Sequence, residues 1–430
     1  IRLGESERNG VLLIGGSHPD ELINPDLLVG LALKLCWAYE NDEGLTFGGK
    51  TWSVADIRLI VGGVDTFIAP NINPDGRSYV MSDYEHNYNW RKNRSTDDQG
   101  SDGTNLNRNF DFVWKEEINA SSVPTADDYH GAEPFSEPET RNVRWLLRTY
   151  PHITHLADVH SHGEVIIHPW GDANNQSDNP RMNFLNPDWD GLRDQPQYKE
   201  YIPRTDETTF IELGEKVNDA IAAARGRNYS VGQSGNTIDY WTSGTCKDYA
   251  YSRFFRGPNT KVWAYTFETV ADRDAPSFPD AARVIEEVQA GLSQFMLTGL
   301  CLVREIGRGF LGPEILDDLA DFRDNEMLQR QRGRRWVNLL DRHGDELVRL
   351  LAVDRRAREA AEQILVEAAQ IVHARGSERP PLIGNALADR IELLANHLER
   401  RASPRLRGAL RTIRRDAQSV AGKTAVEALD

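Results

Sequence analysis

The feature that most constrains this chain is an alternation. Short strand-like runs at residues 11–15, 57–61, 65–69, 153–159, 165–168 and 263–267 are separated by stretches of helical periodicity at 26–39, 137–150, 207–224 and 279–304. Runs this apolar need cover on both faces, which parallel sheets obtain from crossover helices. The pattern therefore predicts an α/β fold with a mixed, mainly parallel sheet flanked by helices. Ser136-Glu137-Pro138-Glu139 reads as a capping box opening the helix over 137–150. Two long polar loops, 80–105 and 171–205, interrupt the pattern, and loops of that length in a compact domain shape a site.

The alternation stops near residue 308. Residues 309–430 hold 21 basic and 20 acidic side chains, 20 of the 21 being arginine. Subtracted from whole-chain totals of 50 and 66, this leaves 29 and 46 in residues 1–308, a net charge near −17 against +1 for the remainder. Ala, Leu, Glu and Arg dominate the second part, with breaks at 376–381 and 403–404. Three to five helices in a separate all-α extension are expected, its charges forming salt-bridged, solvated faces.

Several classes are excluded. No apolar run approaches the roughly 20 residues of a membrane-spanning helix. The overall charge of −16 opposes general nucleic-acid binding. Cys36, Cys246 and Cys301 are too few and too scattered for a disulfide scaffold or a CxxC metal ribbon. The chain opens on Ile1 rather than Met, as expected of a processed or truncated product, so the compartment stays open.

The chemistry-bearing residues fall at the ends of the expected strands. His18-Pro19-Asp20-Glu21 follows the first, and its imidazole and carboxylate can reach one ion. His160, in Asp158-Val159-His160-Ser161-His162, follows another strand ending at the same sheet edge, where open α/β sheets gather their sites. Alone, either could be a satisfied structural residue; a third ligand is what makes a zinc centre. Trp90-Arg91-Lys92-Asn93-Arg94 and Asn105-Leu106-Asn107-Arg108-Asn109 form a basic, amide-rich pair of segments. Read blandly they are solvated turns. Read functionally, an arginine fork suits a carboxylate or a carbonyl oxygen turning anionic, and Asn107 with Arg108 could clamp a terminal carboxylate. Thr266-Phe267-Glu268-Thr269 ends an apolar strand in an acid, which beside a zinc-bound water can serve as general base and then general acid.

In motif order and spacing, residues 1–308 resemble the zinc metallocarboxypeptidases of the carboxypeptidase A type. The resemblance implies a carboxypeptidase-like fold and one zinc ion per chain on His18, Glu21 and His160. It implies a catalytic Glu268 and an Arg94 that polarises the scissile carbonyl. It places Asn107 and Arg108 on the terminal carboxylate, Tyr240 as the mobile tyrosine eight residues before a pocket Asp248, and Arg91 and His162 among the substrate-binding groups. Asn73-Pro74-Asp75-Gly76 and the stretch 134–140 are also family-like. The sequence departs from the pattern in four places. The strands and helix preceding HxxE are absent, so the sheet is expected to lack an edge. Asn105 stands where an Asp orients the first zinc histidine, Asp20 where Arg is common, and His162 where many members have Tyr.

In the family, the residue before the pocket Asp sets preference for the terminal side chain, and here it is Lys247. A buried ammonium favours a carboxylate, so C-terminal Glu or Asp is expected, unless Lys247 pairs with Asp248 and leaves the pocket neutral. The implied substrate is a peptide or protein C-terminus. Two other readings stay open: a hydrolase of γ-glutamyl–diaminopimelate cell-wall peptides or side-chain glutamates on the same fold, and a non-catalytic peptide-binding protein.

Overall fold

The computed structural model describes residues 1–4, 8–96, 102–271, 278–307 and 310–430. Its main sheet has seven strands: β1 (Arg2–Leu3), β2 (Gly10–Gly15), β3 (Asp65–Ala69), β4 (Ile153–Ser161), β5 (Val165–Ile167), β6 (Ser230–Gly232) and β7 (Trp263–Thr269). Their spatial order is β1-β3-β2-β4-β7-β5-β6. The four neighbours β3, β2, β4 and β7 are mutually parallel, as are β5 and β6. Only β1 on β3 and β5 on β7 run antiparallel. The sheet is thus mixed and mainly parallel. β2 is buried along its whole length, as its unbroken apolar sequence requires. On the side where an edge was expected to be lacking, the outermost described strand is the two-residue β1.

Two local expectations are corrected. Residues 57–61 form no strand; they lie in the helix Val54–Gly63, which buries Ile57 and Ile60. Ser53 caps it, its hydroxyl accepting from the Asp56 amide while the Asp56 carboxylate accepts from the Ser53 amide. Periodicity alone cannot separate a five-residue apolar run from one face of a helix, and the Ser-x-x-Asp cap decides it here. The capping box at Ser136 is also absent. The helix Pro138–Thr149 has Glu137 as its N-cap, with no side-chain cap bond. The Ser136 hydroxyl instead donates to the Glu137 carboxylate, which further accepts from Asn93, Ser95 and Thr104. The other helices hold: Ile23–Glu40, Arg204–Arg225 and Phe278–Thr298, the last stopping short of residue 304.

The chain divides into two units, Ile1–Leu297 and Thr298–Asp430. Residues 308 and 309, where the sequence places the boundary, lie outside the described residues. The second unit is all-α, with its longest helices at Gln331–Val353, Arg355–His373, Asn385–Glu399 and Pro404–Val420. Its core gathers Leu347, Leu351, Leu398, Leu406 and Leu410. Arginines on its surface make i,i+4 pairs such as Arg355–Glu359 and Arg358–Glu362, each worth only a few tenths of a kcal/mol. Among the described residues, no helix is long and apolar enough to cross a membrane.

Candidate active site

Three adjacent parallel strands deliver the site. β2, β4 and β7 end at one edge of the sheet, and their register sets Ile14 beside Asp158 and His160 beside Glu268. The chain leaves β2 at Gly15, and the loop that follows carries His18 and Glu21 back over the end of β4. Position at the carboxyl ends of parallel strands is where an open α/β sheet leaves a crevice.

The three side chains meet. His18 Nδ1 lies 2.8 Å from Glu21 Oε1, His160 Nδ1 lies 3.1 Å from Glu21 Oε2, and the two Nδ1 atoms are 3.1 Å apart. All three residues are buried, and among the described residues this is the group of His, Cys, Asp or Glu that could hold a metal. The outer nitrogens explain the orientation. His18 Nε2 donates to Asn105 Oδ1 at 3.1 Å, an oxygen that can only accept. Nε2 therefore keeps the proton and Nδ1 turns its lone pair toward the cluster. His160 Nε2 sits 3.0 Å from Asp158 Oδ2 and 3.3 Å from Asn107 Nδ2. Glu21 Oε2 is buried without a hydrogen-bond donor. Two imidazole nitrogens and a carboxylate oxygen, all within 4.8 Å of one another, are the donor set of a three-ligand zinc site. The residues present fit zinc.

Electrostatics follow from burial. The His18 imidazole is pushed down to about 4, by desolvation first and then by Arg91. Burial raises the Glu268 carboxyl to about 8, with His160 and Arg91 opposing the shift. Arg91 is the arginine that reaches the cluster. Its Nη2 donates to His18 Nδ1 at 2.6 Å and to Glu21 Oε1 at 3.1 Å, and its Nη1 donates to Asp20 at 3.1 Å. Arg94, expected over the scissile carbonyl, lies elsewhere: its guanidinium stacks on the Tyr79 and Trp90 rings, 4.0 and 4.6 Å from their centroids. The exchange has a local reason. Asp20 supplies a carboxylate where the family often has arginine, and that charge draws in Arg91.

The expected clamp residues cluster on a second pair of segments. Asn107 is buried, its Oδ1 accepting from the Cys246 amide and its Nδ2 lying 3.3 Å from His160 Nε2. Arg108 donates Nε to the Asn119 carbonyl and Nη1 to the Asn107 carbonyl. Tyr240, 42% exposed, has its phenol pKa raised, by desolvation first and then by Glu268, with Arg108 opposing. Gly244 seats these segments on each other. Its φ is +68°, and a Cβ there would fall 2.1 Å from the Arg108 carbonyl oxygen, so no other residue fits. His162 is exposed on the turn after β4.

Lys247 is 2% exposed and pairs with Asp248 Oδ2 at 2.8 Å. Asp248 also accepts from the Gly171 amide and the Thr245 hydroxyl. The ammonium and carboxylate pack on Gly171, where a Cβ would come within 2.9 Å of Nζ and 2.5 Å of Oδ2. The alternative kept open for Lys247, a partner in Asp248, is the arrangement found.

Sequence reasoning left Asp158 without a role, and it gave Arg91 a substrate-binding role without pairing it with Asp20. Asp158 had a usable signal: it stands two residues before His160 on one strand, so both project to the same face. The Asp20–Arg91 pair had none, because 71 positions separate its members.

Comparison with known proteins agrees with this geometry. A profile of the zinc carboxypeptidase family matches residues 2–292. Carboxypeptidase B from Astacus astacus is 33% identical over 212 residues, 49% of this chain and 58% of its own length. Carboxypeptidase O from Bos taurus is 31% identical over 237 residues, 55% of this chain and 52% of its own. The chain thus spans about half the length of the curated relatives it matches. The structure of bovine thrombin-activatable fibrinolysis inhibitor in complex with tick carboxypeptidase inhibitor aligns at a TM-score of 0.52 with 21% identity, covering 68% of this chain and 83% of that one, a likeness of fold. With its family profile running from the edge strand through the sheet and the His18, Glu21, His160 cluster, the chain belongs to the zinc carboxypeptidase family.

Proposed function

We propose that this chain hydrolyses the C-terminal peptide bond of peptides or proteins as a zinc-dependent carboxypeptidase. One observation carries the reading: His18, Glu21 and His160 converge with Glu268 in register beside His160. A binding protein needs a pocket and a clamp; it has no use for an acid held next to three metal ligands.

Zinc bound by His18, Glu21 and His160 supplies Lewis acidity and lowers the pKa of a water it binds. Glu268 accepts a proton from the attacking water and passes it to the leaving amine. Arg91, at the cluster, offers its guanidinium to the carbonyl oxygen as charge develops there. Arg108 makes hydrogen bonds through Nε and Nη1, which leaves Nη2 for the substrate's terminal carboxylate, with Asn107 beside it. Tyr240 closes over the bound residue. The finer reading, a preference for C-terminal Glu or Asp, loses its support: the Lys247 ammonium donates to the Asp248 carboxylate, and the pair brings no net charge to the pocket.

The test is a set of linear peptides differing only in their last residue, Glu, Leu, Lys or Gly, followed by mass spectrometry with and without a zinc chelator. Chelator-sensitive removal of the last residue, with no lead for Glu, is the expected result. Removal of Glu well ahead of Leu, Lys and Gly keeps the hydrolase and shows that Lys247 selects acids despite its pairing with Asp248. No removal from any linear peptide, with cleavage of γ-glutamyl–diaminopimelate peptides, moves the activity to cell-wall substrates.

A further inference from the structure

The long loop 171–205 is built around two acids that the proposed chemistry does not use. Asp172 and Glu200 are 1% and 0% exposed. The loop folds back on itself where Asn175–Gln176 pairs in parallel with Glu200–Tyr201, and the Glu200 amide donates to the Asn174 carbonyl at 2.8 Å. That pairing brings the Asp172 and Glu200 carboxyls within hydrogen-bond reach of each other.

Their surroundings are unequal. Glu200 Oε2 accepts from the Tyr198 hydroxyl at 2.5 Å, and Oε1 accepts from the Phe184 and Tyr201 amides at 2.9 and 3.1 Å. The Tyr198 oxygen accepts in turn from Arg193 Nη1 at 2.8 Å. Neither Asp172 oxygen makes a hydrogen bond of good geometry to an N–H or hydroxyl group. A buried carboxylate without donors is costly, and two carboxylates within reach of each other do not both stay charged. The other charges facing the pair do not relieve it. Lys247 and Asp248, on the helix Cys246–Ser252, are paired at 2.8 Å. Arg193 is shared with Asp190 at 2.8 Å and lies 3.5 Å from Glu116. Burial is the first cause that raises both carboxyls, Asp172 to about 7, with Asp248 adding to the shift of Asp172 and Asp172 to that of Glu200.

The loop meets the pocket next to this pair. The Gly171 amide donates to Asp248 Oδ1 at 3.1 Å, and the Gly171 carbonyl accepts from the Thr242 amide at 2.7 Å, two residues beyond Tyr240. We infer that Asp172 and Glu200 share a proton in the folded chain, and that this proton fastens the 171–201 loop against the pocket segment 242–248, a fastening that weakens as pH rises toward neutrality. Its consequence for substrate rests on the peptide-hydrolase reading; the proton itself is measured without turnover.

The test is amide hydrogen exchange of the full chain between pH 5 and 8, read by mass spectrometry on peptides covering 182–202 and 240–245 and divided by the intrinsic rate at each pH. Opening the loop puts both carboxyls in water, where Asp and Glu ionise at about 3.9 and 4.3, so opening releases the proton. The folded pair keeps its proton above those values, so the stabilisation is complete at low pH and lost as pH rises. The opening constant should therefore increase about tenfold per pH unit from pH 5 to 7. Asp172→Asn places a permanent N–H donor opposite Glu200, and its opening constant should change less than about threefold over the same range. Glu200→Gln turns an N–H toward either the Tyr198 hydroxyl or the two amides, and should open more readily at every pH. Parallel pH profiles for the parent and Asp172→Asn overturn the shared proton. Protection of 182–202 that follows added calcium chloride rather than pH overturns it in favour of a bound cation. Protection of 240–245 that ignores pH while the loop follows it overturns the link to the pocket. Turnover of the linear peptides reports separately on the hydrolase, and its absence leaves the exchange result to decide the proton.

Discussion

The two metal-facing histidines differ in what stands behind them, and the difference predicts how tightly zinc is held. His18 Nε2 donates to the neutral amide oxygen of Asn105, while His160 Nε2 faces the Asp158 carboxylate. A carboxylate behind an imidazole makes its other nitrogen a stronger donor, and hydrogen bonds to charged acceptors are about twice as strong as neutral ones. Replacing such an outer partner typically shifts metal affinity roughly 10- to 100-fold, about 1.4–2.7 kcal/mol. Asn105→Asp should therefore tighten zinc by that factor, and Asp158→Asn should loosen it by a similar one. The structure also gives the cost of the first change. Asn105 Nδ2 donates to the Asp127 carbonyl at 3.3 Å, so Asp at this position loses that bond and faces the carbonyl with an oxygen. The metal-free protein should lose about 1 kcal/mol of stability while its zinc affinity rises. Titration of metal-free protein with zinc against a chromophoric chelator measures the first quantity, and urea unfolding of the metal-free forms measures the second. If Asn105→Asp leaves zinc affinity unchanged or weakens it, the assignment of Nδ1 as the ligand atom of His18 is wrong. The double variant Asn105→Asp/Asp158→Asn should return close to the original affinity.

Other expectations follow from the same contacts. Glu268→Gln should retain zinc at full stoichiometry yet lose nearly all turnover; substantial remaining activity would refute the proton-transfer role. Lys247→Met leaves the fully buried Asp248 carboxylate without its cation and should cost about 3 kcal/mol, the low end for such a break, since Gly171 and Thr245 still donate to it. Lys247→Met/Asp248→Asn should recover most of that loss in urea unfolding, and a double variant no more stable than the single would contradict the pairing. His155 is buried, and desolvation pushes its imidazole down to about 3. Below pH 6.5 the unfolded chain binds a proton that the folded chain refuses, so this residue lowers stability as pH falls, by about 1.4 kcal/mol per unit down to about pH 4. The stability of His155→Phe relative to the parent should therefore rise as pH drops from 7 to 4, and parallel pH curves for the two proteins would exclude the effect.

Much of the architecture was legible because it is written locally. The apolar run at 11–15 and the run at 153–159, apolar but for Thr154, His155 and Asp158, read as central parallel strands, and β2 and β4 are those strands. The run at 57–61 misled because five apolar residues satisfy either period, and the cap that decided it sits outside the run, at Ser53. Ser136 misled for the opposite reason. Its motif is locally correct, but Glu137 is claimed by Asn93, Ser95 and Thr104, residues from more than 30 positions away.

The amino-acid sequence by itself determined the chemistry on offer: two imidazoles and a carboxylate at strand ends, an acid closing an apolar strand, and an amide–arginine pair. Those are statements about residue type and short spacing, which backbone geometry converts directly into position. Only the tertiary structure decided between like residues. Arg91 and Arg94 stand three apart and carry the same charge, yet Asp20, 71 positions from Arg91, draws one of them to the cluster while Tyr79 and Trp90 hold the other away. Charge interactions depend on distance through space and ignore separation along the chain, so which partner wins is fixed by folding.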